Sequence, residues 1–279
     1  MLRALVKFEI IDKGGCIPRV GGPARSYDDA RGPFPLAHAP TLGVRLPPEL
    51  LGKLNWFNSA HPFPGSTHND TLIALIELLK EHGAKKITVA DRSGMGDTHQ
   101  VMEAKGIFEL AQKLEFAAIP IDKLPPGEWE HVALPHSHCM VARYSVKDSY
   151  DYMMELHSSS YQREMIAEIN LLYKPDLIVL DGLEAFVTGG PERGQIERPG
   201  VMLAATDRVA LDAVGVAILR LYKTTPEVSR GKIFEHPQIK RAVELGLGAR
   251  GSHEIEIVPA PDDDSKAFAR QVREVLDRG

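Results

Sequence analysis

Two short apolar runs, each closed by a carboxylate, mark the stretch between residues 175 and 222. Leu177-Ile178-Val179-Leu180 stops at Asp181-Gly182, and Val201 to Ala205 stops at Thr206-Asp207. Continuous apolar runs of this length predict buried strands, as in a sheet covered on both faces. The Gly/Pro-rich segment from Gly189-Gly190-Pro191 to Gly194 reads as a loop between them. After Asp207 a helical pattern runs to about Tyr222, with Val209, Leu211, Val214, Val216 and Leu219 among its apolar positions.

The same alternation occurs earlier. Leu72, Leu75, Ile76 and Leu79 share one helical face. Thr67 and Asp70 resemble a capping box at its start, and Gly83 suits its end. Lys86 to Ala90 predicts a strand, Thr98 to Leu114 a helix with Val101, Ile107, Leu110 and Ala111 inward, and Ala117 to Ile121 a second strand. Strands alternating with helices imply βαβ units and a parallel sheet. Further on, short strands are expected at 131–134 and 140–144, and a helix at 161–172. A helix opened by His236-Pro237, a short strand at 254–258 and a last helix with Phe268, Val272 and Val275 on one edge complete the chain. The expected fold class is α/β: a mostly parallel sheet with helices on both faces, a Rossmann-like layered architecture. Residues 1–58 read as a loop-rich arm, since Gly and Pro recur there without a period. Residues 59–279 read as one α/β domain.

Bulk properties narrow the function classes. The 279 residues can bury a sizeable core. A net charge of −5 argues against a broad electrostatic interface with nucleic acid. The two cysteines, Cys16 and Cys139, are too few for a four-thiolate iron–sulfur cluster within the chain. No apolar run approaches the roughly 20 residues of a membrane helix, and the N-terminus lacks a signal-peptide pattern. A cytoplasmic protein without membrane or nucleic-acid partners is expected.

In a parallel sheet all strand C-termini lie on one edge, where α/β proteins usually place their sites. Asp91 and Asp181 each end a predicted strand, and Asp207 follows another. Gathered at one crevice, Asp91, Asp181 and Asp207 could hold a divalent cation. They could also divide acid and base roles. Each could equally cap a helix or turn, which is the default role for Asp207. His68, at a helix start, is a candidate proton carrier beside Asp91 and Asp181. Ser93, Gly94, Gly96 and Thr98 lie between a strand and a helix, where backbone N–H groups can hold an anion. Gly189 and Gly190 could form a similar nest. His136 and His138 share one side of an extended segment without a third ligand nearby, so a surface or capping role is favoured. No GxSxG elbow supports a serine triad.

Several of these segments together resemble the domain of unknown function 362, or DUF362, family. They are Ser66-Thr67-His68 before a helix closed by Gly83, Ala90-Asp91-Arg92-Ser93 to Gly96-Asp97-Thr98, and Lys174-Pro175-Asp176-Leu177 to Asp181-Gly182 with Gly189-Gly190-Pro191. Asp207-Arg208-Val209-Ala210-Leu211-Asp212-Ala213 is the most specific, and Gly246-Leu247-Gly248 to Ile255-Glu256-Ile257 also fits. The resemblance covers roughly residues 60 to 258. It implies an α/β fold without an assigned reaction. Some relatives carry ferredoxin-like modules, which implies redox work; this chain has none. One interval departs from the family pattern. Between His131 and Tyr150 the family has a Lys-x-His element and a later Lys-Asn followed by Gly, and neither stands here. A segment near Ser137 to Met140 is therefore expected to be absent. The expected function is an enzyme that binds a small polar or anionic ligand, with or without a divalent cation. The alternative is a non-catalytic accessory protein acting with an iron–sulfur or other redox partner.

Overall fold

The computed structural model describes residues 3–4, 43–45, 67–91, 97–136, 138–142, 158–172, 175–189 and 194–279. Most of the expected N-terminal arm lies outside the described residues. The chain forms two compact units, Glu9–Pro175 and Met1–Phe8 with Asp176–Gly279. The sequence pattern alone shows no break at Pro175.

In the first unit β2 (Gly43–Arg45), β3 (Lys86–Asp91) and β4 (Ala117–Pro120) form a parallel sheet in that order. Helix α1 (Asn69–Glu81) buries Leu72, Leu75, Ile76 and Leu79, the face expected from its spacing. Its cap differs from the expected box. The N-cap is His68, whose ring accepts from the Asp70 backbone N–H through Nδ1 at 3.2 Å. Gly83 ends the helix at φ +91°, which a residue with a Cβ rarely adopts.

The expected helix at 98–114 is two helices, α2 (Thr98–Ala104) and α3 (Ile107–Lys113). Gly106, at φ +70°, separates them. Its left-handed conformation turns the chain, so Met102 and Ile107 become the buried anchors. Val101 stays only half-buried. Strands β5 (Trp129–Ala133) and β6 (His138–Ala142) pair antiparallel, with Ala133 opposite His138. Helix α4 (Gln162–Ile169) follows and tightens into a 3₁₀ turn over Asn170–Leu172.

In the second unit β7 (Ile178–Gly182) and β10 (Val201–Ala205) occupy the expected positions, but they pair antiparallel. The short strand β1 (Arg3–Ala4) adds to β10 in parallel. Between β7 and β10 lies a hairpin, β8 (Ala185–Gly189) and β9 (Gly194–Glu197), whose two strands flank the expected Gly/Pro-rich loop; residues 190–193 lie outside the described residues. A parallel crossover is usually helical, and no helix forms among the described residues of 183–200. The expectation of one mostly parallel, Rossmann-like sheet is thus corrected to mixed helix and strand in four small sheets among the described residues.

Helix α5 (Arg208–Leu221) follows β10 and buries Val209, Leu211, Ala213, Val214, Ala217 and Ile218. It packs with α7 (Pro237–Glu244) and α8 (Asp263–Arg278) into one apolar core that includes Ile233, Ile239, Val272 and Leu276. The short α6 (Pro226–Ser229) lies between α5 and α7. The guanidinium of Arg220, near the end of α5, donates to the carbonyls of Val228, Arg230, Gly231 and Gly279. Its burial holds its pKa below the usual arginine value. The strand expected at 254–258 is instead a 3₁₀ turn, Ser252–Glu254, followed by chain without a ladder.

Candidate functional site

The parallel edge expected from sequence exists in the first unit. Strand β3 ends at Asp91, which stands in register with Pro120 at the end of β4. Asp91 is only 4% exposed. The chain beyond β4 turns at once into a 3₁₀ helix, Ile121–Lys123, and this delivers Asp122 and Lys123 to the same edge. The Lys123 ammonium lies 2.7 Å from Asp97 Oδ2. Asp97 also caps α2, its Oδ1 accepting from the Gln100 N–H at 3.0 Å. The hydrogen bond from Lys123 is the main reason the Asp97 carboxyl sits below its ordinary value of 3.8. The same contact holds the Lys123 ammonium above its ordinary 10.5. Thr98, the first residue of α2, is buried. Ser93, Gly94 and Gly96 lie outside the described residues.

Asp97→Asn isolates this ion pair, because Asn caps a helix about as well as Asp. A carboxyl lowered on folding stabilises above its ordinary value, and that stability is lost as the pH falls through its own lower one. The variant should melt below wild type at pH 7, and the gap should close as the pH drops below 3.8. Thermal scans across that range check it.

His68 sits at the start of α1, 39% exposed in its side chain, with Nδ1 3.5 Å from Asp70 Oδ2. Nearby, Asn69 Nδ2 donates to the Lys105 carbonyl at 2.8 Å, and Lys105 Nζ reaches the Thr67 carbonyl at 3.4 Å. Lys105 is 8% exposed, and Thr67 and Thr71 are buried with it. A buried lysine flanked by threonines has no signature in a single sequence.

In the second unit the structure separates two of the three carboxylates. Asp181 lies opposite Met202 near the C-terminal end of β7, whereas Asp207 follows Ala205, which lies opposite Ile178 at the other end of the pair. The expected common rim for Asp181 and Asp207 is corrected by this antiparallel pairing. Each carboxylate also has local work. Asp181 Oδ1 accepts from Leu183 N–H at 3.1 Å. Asp207 Oδ1 accepts from Ala210 N–H at 2.8 Å as the cap of α5, and Oδ2 accepts from Ala249 N–H at 2.8 Å. Gly189 ends β8 at φ +70°, and Gly190 lies outside the described residues. Among the described residues no three His, Cys, Asp or Glu side chains are grouped to hold a metal ion.

A further pair was invisible in the sequence. Glu168 on α4 is fully buried and holds His136, 32 residues earlier. Its place among Met165, Ala167 and Ile169 on a buried face gives no warning of that partner.

The model of the DUF362 family, a domain of unknown function, matches the chain over residues 51–150 and 139–217, more than half of its length. The chain belongs to the DUF362 family. No curated protein and no solved structure matches it. The edge around Asp91 and strand β7 with Asp181 both lie inside the residues that match DUF362. The two matched stretches overlap at 139–150. Among the described residues no helix is long and apolar enough to cross a membrane.

Proposed function

We propose that this DUF362 chain is an enzyme that binds a small anionic ligand, through a divalent cation, at the C-terminal edge of the β3–β4 pair. The observation that carries the reading is the burial of Asp91 at the end of a parallel strand. Taking a carboxylate out of water costs several kcal/mol, and strand C-termini in parallel sheets are where such a cost is usually met by function. Among the described residues the edge carries Asp91, Asp97 and Asp122 against Lys123, and Lys123 is paired with Asp97. An anion would meet net negative charge there. A divalent cation bound through Asp91 cancels that charge and supplies a Lewis acid when present. Ser93, Gly94, Gly96 and Thr98 would contribute backbone N–H groups around the ligand. His68 would serve as the proton carrier.

Calorimetric titration with Mn²⁺ and Mg²⁺, each with and without inorganic pyrophosphate, tests the reading. Binding tighter than about millimolar, strengthened by pyrophosphate and lost in Asp91→Asn, is the expected result. Absence of binding in wild type, or equal binding in the variant, removes the proposal.

A further inference from the structure

The β5–β6 hairpin and α4 meet at a carboxylate–histidine pair that the Asp91 edge does not involve. Glu168 is 0% exposed. Its Oε1 lies 2.7 Å from His136 Nδ1, and its Oε2 accepts the backbone N–H of the same histidine at 3.2 Å. Both oxygens therefore grip one residue. Tyr161, at the start of α4, stacks on the ring with centroids 4.5 Å apart and planes 22° apart. These contacts fix the imidazole in position, rotation and tautomer. Oε2 already accepts a backbone N–H, and with Oε1 accepting as well the ring donates from Nδ1. The lone pair is then on Nε2, in a side chain that is 29% exposed. Nε2 has no hydrogen bond among the described residues.

A tie between hairpin and helix would need only the backbone N–H of His136. A ring held through one nitrogen, with the second left unbonded, is the arrangement by which a carboxylate orients a working histidine. We propose that His136 is a proton-transfer site whose working atom is Nε2, with Glu168 and Tyr161 as its positioning residues. The group it takes is an acidic O–H, from water or from the hydroxyl of a small polar ligand. In that step the O–H bond breaks and its electron pair stays on oxygen. The proton forms a bond to Nε2. The Nδ1 proton remains where it is, now shared between an imidazolium and the Glu168 carboxylate, which is why the buried charge favours the product.

The test uses the full chain and needs no substrate. Long-range ¹H–¹⁵N correlation spectra on wild type read the tautomer directly: a protonated Nδ1 and a bare Nε2 are expected at His136. Carbethoxylation by diethyl pyrocarbonate, followed peptide by peptide at about pH 8, where ordinary imidazoles are neutral, reads the lone pair. His253, 77% exposed in its side chain, is the internal reference. His136 should react about tenfold faster than His253, and Glu168→Gln should erase that advantage. Tyr161→Leu should reduce it in part. An Nε2–H tautomer in wild type overturns the proposal even if Glu168→Gln does not fold. So does a His136 rate no higher than that of His253, or one unchanged in a folded Glu168→Gln.

Discussion

Asp207→Ala will destabilise the second unit by about 1.5–5 kcal/mol. The carboxylate bridges two backbone donors far apart in sequence. Its Oδ1 caps α5 through Ala210 N–H, and its Oδ2 takes the N–H of Ala249, 42 residues away. Losing an N-cap costs about 0.5–2 kcal/mol. Leaving a half-buried N–H without its acceptor adds about 1–3 kcal/mol. Gly248 makes the bridge possible, because a Cβ there would collide with the Asp207 carboxylate. Gly248→Ala should therefore weaken the unit as well. Asp207→Asn should fall between, since its amide oxygen still caps α5 while its NH₂ can give Ala249 only a donor. Urea unfolding followed by circular dichroism, with unchanged slopes, measures the series. A loss under about 0.5 kcal/mol for the alanine variant would return Asp207 to the list of residues kept for chemistry.

Local order was legible in the sequence where short-range physics decides it. The Leu72, Leu75, Ile76 and Leu79 stripe, the left-handed Gly83 and the strands at 178–182 and 201–205 all stand where period and punctuation place them. Asp207 also took its default role as a cap. Strand direction was misread for a reason present in the chain. The 183–200 interval has no helical period, so nothing in it could carry a parallel crossover. Its glycines serve a hairpin, with Gly189 opposite Gly194. The break of the second helix at Gly106 was also available, since a glycine inside a helical pattern lowers its stability and often ends it. The grip of Glu168 on His136 was not available. A carboxylate within an apolar helical stripe looks like a polar residue at the margin of the face, and only tertiary packing shows what it meets. The same holds for the buried Lys105.

Leu276→Ala should be the most damaging single core truncation near the end of the chain, costing about 2–5 kcal/mol. The residue is 2% exposed and belongs to the core that joins α5, α7 and α8. Helix α8 begins well, with Asp262 accepting the Ser265 N–H at 2.8 Å. Its exposed side carries ion pairs such as Arg278 with Glu274 at 2.8 Å. Surface pairs of this kind contribute about 0–1 kcal/mol each. Attachment of the helix therefore rests on Ala269, Val272 and Leu276, its buried apolar positions. Val272→Ala removes less volume and should cost less. A paired measurement decides between a local and a general effect. Denaturant midpoints report the loss for the whole unit, and amide exchange in α8 reports whether that helix opens first. If Leu276→Ala shifts the midpoint no more than Arg278→Ala does, burial is not what holds the last helix in place.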